Sequence, residues 1–166
     1  MEVFTTFCSP LGTILLTATE AGLTGLWLDT QKPPRISRTR QDNHPAFGPV
    51  KAWLDAYFRG QPGSIEDLPL APMGTPFQMQ VWDCLRRIPW GCLATYGDIA
   101  KEVARIRGKE KMSAQAVGQA VGANPIAIIV PCHRCVGAGG KLTGYNGGLD
   151  KKRWLLAHEA GQEEQL

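Results

Sequence analysis

The chain lacks the features that would put it in a membrane or outside the cell. No apolar run approaches the roughly 20 residues that a membrane helix needs. Residues 1–12, MEVFTTFCSPLG, show neither the basic n-region nor the apolar h-region of a secretory leader. Cysteine is scarce and odd in number: Cys8, Cys84, Cys92, Cys132 and Cys135. An odd set cannot close a disulfide framework and suits a reducing compartment. A soluble, monomeric, cytoplasmic protein, or a nuclear one in a eukaryote, is the expectation, with no membrane partner. Charge of one sign is also lacking, with 18 basic against 15 acidic residues, a net +3. That balance permits a polyanionic partner without demanding one.

What is present suits one medium domain or two small ones. The 166 residues are 43% hydrophobic, and a chain of this length buries roughly two-thirds of its unfolded surface. Residues 3–28 hold VFTTF, GTILLTAT and GLTGLWL, parted by turn-like CSPLG and EAG, which reads as an antiparallel meander. Residues 29–49 are polar and proline-bearing and read as a loop. Its Arg35, Arg38 and Arg40 either touch nucleic acid or are simply solvated. Residues 50–59 carry Val50, Trp53, Leu54, Tyr57 and Phe58 at helical spacing. A Pro- and Gly-rich linker follows, placing a boundary near residue 72 and domains at 1–72 and 73–166.

The second half reads as helical, so the class is α+β. PFQMQVWDCLRRI forms one helix, stopped by PWG. TYGDIAKEVARIR forms the next, with Thr95 as N-cap and Asp98 in its first turn. SAQAVGQAVGAN forms a third, capped by Ser113. PIAIIVP reads as a short buried strand, KLTG as half of a small hairpin, and LDKKRWLLAHEAG as a final helix closed by Gly161.

Residues 96–123, helix–turn–helix in outline, suggest DNA binding, though many helix pairs share the outline. Ala114, Gly118 and Gly122 fall on one face of the second helix. Each helical glycine costs roughly 1 kcal/mol against alanine, so something offsets them. Two readings stay open: tight packing against another helix, or close approach to a narrow nucleic-acid groove. Arg86, Arg87, Lys101, Arg105, Arg107, Lys109 and Lys111 surround the pair, partly offset by Glu102 and Glu110. They would hold phosphates, or form a solvated basic turn.

Residues 127–137, AIIVPCHRCVG, offer the chemistry. Cys132 and Cys135 stand in C-x-x-C spacing, and Cys132 adjoins His133. Only a thiolate is a strong nucleophile, so a reactive cysteine needs a partner that removes its proton. His133 can act through a bridging water, oriented by a carboxylate such as Glu159, which lies beside His158. A thioredoxin-like site normally opens a helix, and VGAGGKLTG is a poor one. A structural zinc site wants four ligands, and no second pair exists. Nucleophile and inert buried thiol both remain.

NPIAIIVPCHRCVG, with GKLTGYNGGLDKKRWLLAHE after it, resembles the active-site region of the O6-alkylguanine-DNA alkyltransferases. FQMQVWDCLRRIPWGCLATYGDIA also resembles that family, and the first half does so more loosely. The resemblance implies a ribonuclease H-like first domain and a winged helix-turn-helix-like second. It implies double-stranded DNA containing O6-alkylguanine as partner, minor-groove binding, extrusion of the damaged base, and one irreversible alkyl transfer to Cys132. No cofactor is implied. His133 resembles the base acting through water, Glu159 its orienting carboxylate, and Asn124 a support of that network. Tyr96 resembles the hydroxyl that donates to guanine N3. The carbonyls of Cys132 and Cys135 resemble acceptors for the exocyclic amine. The Asn146 amide resembles a donor to O6, and Tyr145 a wall of the pocket. Ser113, Ala114, Gln115 and Gly118 take the DNA-facing helix positions.

The chain departs from the family pattern at three places. Gln115 stands where the family usually has an arginine that fills the gap of the flipped base. Cys135 stands where an apolar residue is usual. The first half offers only Cys8 and His44 toward the zinc that some relatives bind there, so no metal is expected.

Overall fold

Strand alternation organises the first half. The computed structural model describes residues 1–162 and divides into two compact units, Met1–Met73 and Gly74–Leu166. In the first, β1 (Glu2–Ser9), β2 (Gly12–Thr19) and β3 (Gly22–Trp27) form an antiparallel meander. Ile14, Leu16 and Ala18 are buried at alternate positions of β2, and Phe47, Val50, Trp53, Leu54 and Tyr57 are the buried positions of α1 (Phe47–Phe58). Gly22 closes its turn with φ +139, and a Cβ there would lie 2.4 Å from Pro69 O, so only glycine fits.

The loop expected over 29–49 is more ordered than its composition suggests. It contains a short strand, β4 (Arg38–Arg40), parallel to β1 at the sheet edge, giving the order β3-β2-β1-β4. Helix α1 begins within it, at Phe47. Arg38 is ion-paired with Glu2, whose other oxygen accepts from Thr24 at 2.8 Å. Arg40 pairs with Asp42 at 3.0 Å and lies over the Phe4 ring. These two arginines tie the edge strand down. Of the three, Arg35 is exposed and has no such partner among the described residues.

Capping fixes the helices of the second unit. Thr75 and Gln78 form a capping box at α2 (Pro76–Arg86). Thr95 and Asp98 form another at α3 (Tyr96–Arg107), with bonds of 2.9 and 3.0 Å, and Gly108 ends α3 at φ 67. Ser113 caps α4 (Ala114–Gly122) by accepting from the Ala116 amide. The buried faces Val81, Trp82 and Leu85 of α2, Ile99 and Val103 of α3, and Val117, Ala120 and Val121 of α4 make a three-helix core. The Trp82 indole donates to Ala120 O at 2.8 Å. Strands β5 (Ala94–Thr95) and β6 (Cys135–Val136) pair in parallel. Helix α5 (Leu149–Glu159) follows, and Gly161 just beyond it has φ +72.

Two sequence expectations fail here. Residues 125–131 are not a strand but a knot of turns, with Ile129 N–H donating to Ala127 O and Val130 N–H to Ile126 O. Residues 141–144 are irregular and form no hairpin strand, although Gly137 N–H does reach Lys141 O at 2.7 Å. Among the described residues no helix is long and apolar enough to cross a membrane.

Candidate active site

Asn124 shapes the segment that carries the cysteine. Its Oδ1 accepts from the Ile126 amide at 3.0 Å, and its Nδ2 donates to Val130 O at 2.8 Å and Ile126 O at 3.3 Å. These are backbone groups that a strand would offer to a neighbour, so the side chain displaces the sheet that composition favours. Ile128 has φ 70, the one non-glycine residue with positive φ among the described residues. Pro131, at φ −82 and ψ 65, sits in an inverse γ-turn closed by Cys132 N–H to Val130 O at 2.8 Å. Cys132 therefore opens a single 3-10 turn, Cys132–Arg134, rather than ending a strand.

That turn sends His133 and Arg134 to one carboxylate. His133 Nε2 lies 2.6 Å from Glu159 Oε2, and Arg134 donates to Glu159 through Nε at 2.7 Å and a second nitrogen at 3.1 Å. Arg134 also donates to Ile88 O at 2.6 Å. Burial alone would raise the Glu159 carboxyl, but the bonds from His133 and Arg134 outweigh it and hold it well below the usual carboxylate range. Burial pushes the His133 imidazole below its ordinary value, and Glu159 only partly opposes this. The imidazole is therefore neutral. With an ionised acceptor at Nε2, its proton belongs on Nε2 and its lone pair on Nδ1. Nδ1 is buried and has no hydrogen-bond partner among the described residues.

Cys132 is 8% exposed. Burial raises its thiol, while a hydrogen bond from Asn124 and the charge of Lys152 work the other way. The resting group is a thiol, so reaction requires a base. The Tyr145 hydroxyl lies near it, buried and without a hydrogen bond of ordinary geometry. Tyr96, at the start of α3, donates a long 3.4 Å bond to Thr143 O, weak enough to exchange for a ligand. Asn146 is exposed, and its side chain reaches Gly122 O at 3.3 Å.

Two functional residues were missed in the sequence. Arg134 completes the Glu159 cluster. Lys152 is fully buried, and its Nζ donates to Cys135 O at 2.7 Å, Thr143 O at 3.1 Å and Gly144 O at 3.5 Å. It thus occupies one of the two lone pairs of the Cys135 carbonyl. The signal for it was spacing: Lys152, Leu155 and Glu159 share the buried face of α5. His158, beside Glu159, stacks on Trp154 at 5.0 Å. In the first unit, His44 accepts from the Ala46 amide at 3.1 Å. No group of three or more His, Cys, Asp or Glu among the described residues is placed to hold a metal ion.

The small face of α4 does not pack against another helix. Ala114, Gln115 and Gly122 are exposed and Gly118 is half-buried. A Cβ on Gly118 would come no nearer than 3.9 Å to Tyr96, and one on Gly122 would meet nothing. Of the two readings of this face, tight internal packing is thereby removed.

The family model for the 6-O-methylguanine DNA methyltransferase ribonuclease-like domain matches residues 3–72, and that for the DNA binding domain matches residues 76–161. The chain belongs to this family. A methylated-DNA–protein-cysteine methyltransferase of Methanosarcina acetivorans is 47% identical over 92% of this chain and 95% of its own length. That of Haemophilus influenzae is 38% identical over 94% of this chain and 85% of its own. Among solved structures, OGT of Mycobacterium tuberculosis in complex with DNA superposes with a TM-score of 0.83 at 42% identity, covering 95% of this chain and 92% of that one. The α+β class of the family, with a sheet-bearing first half and a helical second half, is the one seen here.

Proposed function

We propose that the protein repairs DNA by moving an alkyl group from O6 of guanine in duplex DNA to Cys132 Sγ, once per molecule. Its family membership and the names of its relatives support this, and one observation in the site carries it. Next in sequence to a buried thiol stands a neutral imidazole whose Nε2 is held by Glu159 and whose Nδ1 has no partner among the described residues.

The thiol proton passes to His133 Nδ1 through a bridging water. The S–C bond forms as the C–O6 bond breaks, and the electron pair stays with the guanine. Tyr96 donates a hydrogen bond to guanine N3 and so eases departure, and the proton that left the thiol balances the guanine anion. The base cannot be reached inside the duplex, so it is extruded at a cost of a few kcal/mol. The bare α4 face, Ala114, Gln115 and Gly118 after the Ser113 cap, lies in the minor groove, where long side chains would hold the backbone away. Gln115 fills the gap left by the base with a shorter, uncharged side chain than the family's arginine. Five free cysteines suit a reducing, cytoplasmic setting.

The test is to incubate the protein with a duplex containing one O6-methylguanine and map the product by peptide mass. A single methyl on Cys132 is expected. Tight lesion binding without a mass gain would make the protein a sensor of damage instead, and dithiol cycling without either would make it an oxidoreductase.

A further inference from the structure

The basic residues around the helix pair separate into two groups by their surroundings. Arg86 stands 3.5 Å from Asp83, Arg87 stands 3.6 Å from Glu102, and Arg105 holds Glu102 at 2.6 Å. Arg107 donates to Gln80 at 2.6 Å and covers the Phe77 ring. These four are engaged within the protein. Lys101, Lys109 and Lys111 are exposed and form no ion pair among the described residues. Asp98, one turn earlier on the same helix, feels the charge of Lys101 but is held as the cap partner of Thr95.

All three free lysines line one open cleft of about 640 Å³ at the α3–α4 turn. Ala100, Ala104 and Met112 give it apolar lining, and Glu110 is the only acidic residue on its wall. The cleft runs to Ala114, the first residue of α4. It is therefore continuous with the face that the proposed function sets in the minor groove.

We infer that this cleft holds the sugar–phosphate backbone of the DNA beside the point where α4 meets the duplex. The chemistry matches on both counts. Phosphate oxygens need unpaired cations, and the C–H faces of deoxyribose suit an alanine and methionine surface. An uncharged Gln115 takes a cation away from this interface, and the lysines of the turn supply charge next to it. The inference rests on the proposed function, because it needs a bound duplex.

The experiment is a salt titration of binding to an undamaged duplex by fluorescence anisotropy. Three proteins are compared: the wild type, a triple variant Lys101→Gln, Lys109→Gln and Lys111→Gln, and the matching triple Lys→Arg. Each phosphate contact contributes about 0.9 to the slope of log K against log salt, so the glutamine triple should be shallower by about 2.7. The arginine triple should keep the wild-type slope, and so should Lys32→Gln, which removes a charge from the first unit. Three exposed lysines carry no core packing, and circular dichroism checks that the fold is kept. A glutamine triple with the wild-type slope overturns the inference, as does an equal loss in Lys32→Gln. Methyl transfer to Cys132 is followed on the same wild-type sample. No transfer refutes the proposed activity, whereas transfer with a slope indifferent to the lysines refutes the cleft alone.

Discussion

Glu159 Oε2 stands 2.6 Å from His133 Nε2, and both side chains are sealed from solvent. The same carboxylate neutralises Arg134. Glu159→Gln keeps the shape and removes the charge, leaving Arg134 buried without a counter-ion. Urea unfolding should show a loss of about 3–5 kcal/mol. The single-turnover rate of methyl transfer should fall by about 100-fold or more, because the imidazole loses its orienting anion. Adding Arg134→Met should restore part of the stability and none of the rate. Recovery of both together would mean that Glu159 is only a packing element.

Acid should weaken the fold in two stages. His133 is held below its ordinary 6.5 by burial, and Glu159 below its ordinary 4.5 by its two partners despite burial. For each group the unfolded chain binds the proton more readily, so protons favour unfolding. Stability from these groups is complete above 6.5, declines first through His133, and declines further below 4.5 through Glu159. Thermal midpoints measured across pH should show both stages, and His133→Gln should abolish the upper one. A midpoint flat from neutrality to pH 5 would contradict this.

Asn124→Ala removes the three side-chain bonds that brace the 125–131 turn and leaves its backbone bonds in place. It takes from the buried Ile126 amide its acceptor, while the Val130 carbonyl keeps the Cys132 amide as donor. An unsatisfied buried group costs about 1–3 kcal/mol, so a loss of about 1–3 kcal/mol is expected in chemical denaturation. Cys132, carried by that turn, should react with lesion DNA more slowly. An unchanged denaturation midpoint would show that the turn is held by its apolar packing.

Cys135 should make the protein sensitive to oxidants. A peroxide can accept two electrons and two protons from Cys132 and Cys135, forming water and a disulfide that removes the acceptor thiol. Burial pushes the Cys135 thiol up to about 12, so bond formation should be slow at neutral pH and faster as pH rises. Intact mass should fall by two hydrogens, activity should return with dithiothreitol, and Cys135→Val should show neither change. Equal and equally reversible inactivation of both proteins would refute the pairing.

Local chemistry made much of the second unit legible. Thr95, Asp98 and Ser113 cap the helices as their residue types require. The meander and the apolar stripe of α1 followed from periodicity. The misreadings arose where a side chain took over a backbone's partner. PIAIIVP has the composition of a strand, but Asn124 binds the groups that a strand would use. Strand β4 is short, polar and at an edge, so it has no apolar alternation to show. Arg134 and Lys152 were overlooked because cations are expected at the surface. Their burial depends on a carboxylate 25 residues away in one case and on carbonyls gathered from a loop in the other.

The Trp82–Ala120 bond and the valines of α4 anchor that helix entirely from behind. On the opposite side Gln115 is exposed and a Cβ on Gly122 would meet nothing, the Asn146 side chain reaching only the Gly122 carbonyl. Core packing is thus confined to one side of a short helix, and the other side is left exposed. A change at Gln115 leaves the architecture alone, so this surface can drift, or be redesigned, without endangering the chain that carries it.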